Sequence, residues 1–204
     1  MTRTLSLLAI ALTLAGCASD PVHYHTLSAP TMTSMAGQPV PFAIELLPVG
    51  IPAALDQQQL VVRSGASGLV VQDGERWSGP YADEIRDALA VQLAGSLHTQ
   101  DVTGLGRAPG QPLLRIQVQV RRFDAWVGDK VQFEGTWRLN FADADANGKT
   151  SARLVCSSRI EMPAAGGYPA LVQAQQAVLA KLATDIAQRA RAWDGMTTAC
   201  ATGI

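Results

Sequence analysis

Three stretches between residues 114 and 160 alternate apolar and polar side chains with a period of two. Leu114, Ile116, Val118 and Val120 alternate with Arg115, Gln117, Gln119 and Arg121. Val131, Phe133, Trp137, Leu139 and Phe141 alternate with Gln132, Glu134, Arg138 and Asn140. Ala152, Leu154, Cys156 and Ile160 alternate with Arg153, Ser157 and Arg159. Successive side chains of a strand point to opposite faces, so each stretch has one dry face and one wet face. Short turns between them predict an antiparallel meander, whose dry face needs a cover.

Two helical stretches can supply that cover. Ser78-Gly79-Pro80 suits a helix start, and Asp83 and Glu84 sit near the positive end of its dipole. Ile85, Leu89, Leu93 and Leu97 then recur every four residues. Gly166-Gly167-Tyr168-Pro169 launches a longer helix. Its apolar stripe is Leu171, Ala174, Val178, Leu182, Ile186, Ala190 and Trp193. Arg189 and Arg191 lie near its negative end, and Gly195 stops it. Earlier strands are expected at Val22–Leu27, Phe42–Val49, Leu60–Arg63 and Leu69–Gln72. The predicted fold is α+β: a two-layer domain, a mostly antiparallel sheet with two main helices packed on one face.

The N-terminus reads as an address. Arg3 precedes an apolar run from Leu5 to Leu14, about ten residues against the ~20 needed to span a bilayer. Leu14-Ala15-Gly16-Cys17 resembles the bacterial lipobox, which implies cleavage before Cys17 and acylation of that residue. Two or more acyl chains anchor a protein stably. Ala18, where Asp retains enteric lipoproteins at the inner membrane, points to the outer membrane and a domain facing the periplasm. The expected organisation is a signal peptide over 1–16, a lipidated N-terminus with a short strand and tether over 17–41, and one α+β domain over 42–204. In an oxidising compartment Cys156 and Cys200 can form a disulfide; two buried free thiols are the other reading.

Apolar residues make up 48% of the 204-residue chain, which is no disordered composition. The net charge of −1 removes the electrostatic case for nucleic-acid binding. No catalytic grouping stands out, so the expectation is a non-enzyme with no cofactor and no metal. Asp143 to Gly148 matches the first half of a calcium-binding loop, but Leu154 stands where a bidentate glutamate belongs, and Asn147-Gly148 suits a hairpin turn. His23 and His25 share one strand face and, with Asp20, leave a coordination set incomplete. The glycines of Gly104 to Gly110 miss the dinucleotide-binding spacing, and Ser67 lacks a nucleophile elbow.

The most unusual stretch runs from Gly50 to Arg63, with Glu75 to Pro80 beside it. It sets Arg63 and Arg76 among apolar residues and places Trp77 just before a helix. Ion pairing and packing at strand ends account for each residue singly. In order, Cys17, His23-Tyr24-His25-Thr26-Leu27, Ile44 to Pro48, Pro52, Leu55-Asp56, Leu60 to Arg63 and Arg76-Trp77 resemble the ABC-type transport auxiliary lipoproteins, the PqiC-like family. Gln57-Gln58 and the cysteine pair depart from the family pattern.

That resemblance implies a subunit of an MCE-type intermembrane lipid transport system. Its partners would be the MCE-domain tunnel protein and the inner-membrane complex that carries it. The lipoprotein would dock or receive the tunnel at the outer membrane, and it would self-associate, as a ring. Two surfaces are candidates for contact. One is the polar sheet face, with Arg115, Gln117, Gln119, Arg138, Arg153 and Arg159. The other is the unusual stretch, with Leu55, Asp56, Arg63, Arg76 and Trp77. The competing reading is an outer-membrane activator of a peptidoglycan synthase, which the short tether of about fourteen residues disfavours. A hydrolase ranks third.

Overall fold

The computed structural model describes residues 21–28, 37–142, 152–193, 195–198 and 200. The signal peptide, Cys17, Ala18, Asp20, most of the tether and the Asp143–Gly148 loop lie outside the described residues. Among the described residues, seven strands and two long helices follow in the order β1 (His23–His25), β2 (Ala43–Leu46), β3 (Gln59–Ser64), β4 (Gly68–Trp77), α1 (Tyr81–Leu97), β5 (Leu113–Trp126), β6 (Lys130–Phe141), β7 (Leu154–Pro163) and α2 (Tyr168–Ala192). No helix among the described residues is long and apolar enough to cross a membrane.

The meander forms as the alternation demands, with β5, β6 and β7 paired antiparallel. Val118, Trp137 and Cys156 make one dry cross-strand row, and Ile116, Leu139 and Leu154 make the next. A bulge between Val120 and Arg122 then shifts the parity of β5 by one residue. Inward positions pass from 114, 116, 118 and 120 to Phe123 and Ala125, which are almost fully buried. Phe123 thereby joins Phe133 and Ile160 in a third dry row. Opposite the bulge stands Gly135, where a Cβ would lie 2.7 Å from the Phe133 ring. The missing side chain lets that ring fold over the strand.

The helices lie on the dry face. Ile85, Leu89, Leu93 and Leu97 of α1, and Leu171, Val178, Leu182 and Ile186 of α2, are fully buried. α2 packs on β6 and β7, and α1 on α2 and β2. Among the described residues, the opposite face of the meander carries no helix.

The strands divide into two sheets rather than one. β2-β5-β6-β7 form the larger, and β1-β4-β3 a smaller one. β1 runs parallel to β4 and β2 parallel to β5, so two of the five pairings are parallel. Length is the physical reason: strands of three and four residues are placed by tertiary packing, and their own alternation is too short to fix a partner. β1 is also shorter than the expected Val22–Leu27, and β4 runs well past Gln72. Beyond β2, the Leu47 amide donates to the Ile116 carbonyl, and Gly50 donates to the Val118 carbonyl and accepts from the Val120 amide. A Cβ on Gly50 would overlap the Gln119 side chain.

A disulfide joins Cys156 on β7 to Cys200, with the two Cα atoms 5.2 Å apart. The Val155 amide donates to the Thr198 carbonyl at 3.1 Å, and the Cys200 amide to the Val155 carbonyl. The C-terminal segment thus covers the free edge of β7.

Candidate functional site

The unusual stretch folds around the joint between β4 and α1. Pro52 opens a single helical turn, Ala53–Leu55, that points Leu55 inward. Trp77 ends β4 and stacks on Tyr81, the first residue of α1, with ring centroids 4.8 Å apart. Tyr81 stacks on Phe123 at 6.1 Å, and Phe123 meets Phe133 edge-on at 5.6 Å. A column of aromatic rings therefore ties the joint to the meander. Leu55 and Trp77 are buried, which takes both off the surface where partner contacts were expected.

A small cavity opens beside this column, lined by Leu55, Gln59, Val61, Trp77, Tyr81, Phe123 and Gln175. The Tyr81 hydroxyl and the Gln175 Oε1 are buried without a hydrogen-bond partner. Burial pushes the Tyr81 phenol far above its ordinary pKa. The space is no larger than a single water molecule. Small-molecule sites are commonly about 300 Å³ or larger. An acyl chain does not fit here.

Arg63 is anchored by β5. Its Nε donates to Asp124 Oδ1 at 2.7 Å, and Arg122 donates to Asp124 Oδ2 from Nε at 2.9 Å and Nη2 at 2.6 Å. Asp124 is 4% exposed, a buried carboxylate held by two cations. Its hydrogen bond and charge hold the Arg122 pKa above its ordinary value. The bulge turns Arg122 and Asp124, two residues apart and so on one side of β5, away from the dry face that Val118 and Val120 occupy. Arg63 thus locks the smaller sheet to the larger one. Arg76 is half-buried and bonds the Asp73 carbonyl at 3.3 Å, while Asp56 is exposed just after the turn.

The helix-free face of the meander is a lattice of opposite charges. Arg115 bonds Glu45 at 2.6 Å, and Lys130 bonds Glu161 at 3.1 Å. Arg122, Glu134 and Arg159 lie in one cross-strand row, with Glu134 bonded to Arg159 at 2.9 Å. Gln117 and Arg138 are neighbours in another row and are half-buried; Gln119 and Arg153 are exposed. The Arg138 Nε is buried with no partner in the fold. This face brings the expected surface cations together, and it offers paired charges and amides to a polar partner.

Sequence reasoning missed Glu84. This buried carboxylate accepts from Ser78 Oγ at 2.5 Å, and from Thr26 Oγ1 and the Leu27 amide at 2.8 Å each. It ties the exit of β1 to the first turn of α1. Only its place near the helix start hinted at a role. His23 and His25 both reach Glu75 on the neighbouring strand, at 3.3 and 2.5 Å.

These features define a small α+β domain with a buried aromatic joint and an open polar sheet. The family model for the ABC-type transport auxiliary lipoprotein component matches residues 25–187, and the chain belongs to that family. The fold is shared with solved structures. The chain is similar to an uncharacterized protein at 18% identity and a TM-score of 0.64, covering 84% of this chain and 99% of that one. It is also similar to a Xanthomonas campestris protein of the DUF330 family at 14% identity and a TM-score of 0.54, covering 82% and 90%. No curated protein matches the sequence.

Proposed function

We propose that this lipoprotein is the non-enzymatic outer-membrane subunit of an MCE-type lipid transport system, anchored through Cys17 and docking the periplasmic end of the tunnel. The observation that carries the reading is the family match over most of the domain, including the segment that builds the aromatic joint. The site supports docking over carriage. Its cavity has room for one water, and the broad open surface is the charged sheet face. The partners are an MCE-domain protein with its inner-membrane complex, and further copies of this chain.

The test is purification of the full-length lipoprotein from its native envelope in mild detergent, with crosslinking. Co-purification of an MCE-domain protein in stoichiometric yield is the expected result. Recovery of a peptidoglycan synthase in its place, or of no MCE-domain protein, overturns the reading.

A further inference from the structure

The β3–β4 hairpin leaves three consecutive apolar side chains uncovered. Leu69, Val70 and Val71 are 43%, 42% and 43% exposed. Neighbouring strand residues point to opposite faces, so both faces of β4 are bare here. β1 covers β4 only along Glu75, Arg76 and Trp77. Among the described residues, nothing pairs with the β1 side of β4 from Gly68 to Asp73. Val127, in the turn between β5 and β6, is likewise 43% exposed. The neighbouring Trp126 donates its indole N–H to the Gly65 carbonyl in the hairpin turn. Lys130 sits 5.7 Å above the Trp126 ring. One end of the molecule thus gathers bare aliphatic residues, a partly exposed tryptophan and a lysine. That is the side-chain set favoured at a bilayer interface.

The direction of β1 says which surface this end meets. β1 is parallel to β4, so the chain before His23 heads toward the hairpin turn. The Pro21 carbonyl still lies beside Gly74. Cys17 is four residues before Pro21, a reach of about 14 Å. Val70 is the same number of residues along β4 from Gly74. The four residues between Pro21 and the anchor are therefore long enough to span the distance from Gly74 to the bare hairpin.

We infer that the hairpin end, through Leu69, Val70, Val71 and Val127, rests in the interfacial layer of the bilayer that holds the anchor. This rests on the proposed acylation of Cys17. Contact there orients the domain, with the hairpin on the membrane and the rest of the sheet directed away from it.

The test uses the lipidated full chain in vesicles of phosphatidylethanolamine and phosphatidylglycerol, doped with phosphatidylcholine brominated on its acyl chains. The chain has four tryptophans, and Trp77, Trp137 and Trp193 are buried. The difference between the wild-type chain and Trp126→Phe isolates the Trp126 emission. The expected result is loss of that emission on bromination, relieved by Val70→Asp in protein that still floats with the vesicles. Protein that floats with Trp126 unquenched overturns the inference and leaves the anchor standing, as does quenching that Val70→Asp does not change. Protein that fails to float overturns the anchor reading and the inference with it.

Discussion

Removing Arg63 separates a structural arginine from a binding one. The Asp124 carboxylate divides its oxygens, with Oδ1 held by Arg63 and Oδ2 by Arg122. Arg63→Ala leaves Oδ1 buried without its charged donor. A hydrogen bond to a charged group contributes about 1.5–3 kcal/mol. Wholly orphaning a buried ion costs about 3–5 kcal/mol, but Oδ2 keeps its partner, so the loss stays below that range. The expected destabilisation is about 2–3 kcal/mol, including the packing of the arginine stem. For a domain of this size that lowers Tm by roughly 5–10 °C. Urea denaturation followed by circular dichroism reads the change. A cycle with Asp124→Leu should return a coupling of about 1–3 kcal/mol. A loss under about 0.5 kcal/mol, in the range of ordinary surface substitutions, refutes the argument and returns Arg63 to the pool of contact residues.

Four further outcomes follow from the same geometry. Tyr81→Phe deletes an unpaired buried hydroxyl and should raise stability by about 1 kcal/mol in a urea titration; a clear loss would show that the hydroxyl is well bonded. Because the folded phenol has a raised pKa, its stabilising protonation is complete below the unfolded value of about 10. Wild-type stability should therefore fall above pH of about 10 more steeply than that of Tyr81→Phe, and parallel pH profiles would contradict this. Cys200→Ser opens a disulfide spanning 44 residues and should cost about 2–4 kcal/mol, read by thermal melting against the oxidised wild-type protein. Glu84→Ala strands three donors, the Ser78 and Thr26 hydroxyls and the Leu27 amide, and should cost about 2–3 kcal/mol. Hydrogen exchange at the Leu27 amide should quicken first, and unchanged protection there would refute the role of Glu84.

What the sequence made legible was whatever repeats locally. The alternation from Leu114 to Ile160 carried the meander, and the four-residue recurrence from Ile85 to Leu97 carried α1. Single residues with no period around them were read less well. The doubled Arg121-Arg122 marks the bulge, yet only the pairing partner on β6 reveals that parity shifts there and makes Asp124 a buried counterion. The parallel placing of β1 and β2 depends on strands too short to carry a pattern. Trp77 stands out in the sequence for its position before a helix, but not for the direction of its ring, which the Tyr81 and Phe123 stack determines. In the sequence Arg138 is one of several polar-face cations. Only the structure shows that its Nε is buried without a partner.

The most direct test of the docking account is site-specific photocrosslinking in the native envelope. A photoreactive residue replaces Gln117, Arg138 or Ser157 on the open sheet face, or Glu161 at its rim. The account predicts adducts to an MCE-domain protein, or to a second copy of this chain within an assembly that contains one. Adducts only to a peptidoglycan synthase, or an open face that yields no adduct while the lipoprotein remains folded and anchored, would contradict it.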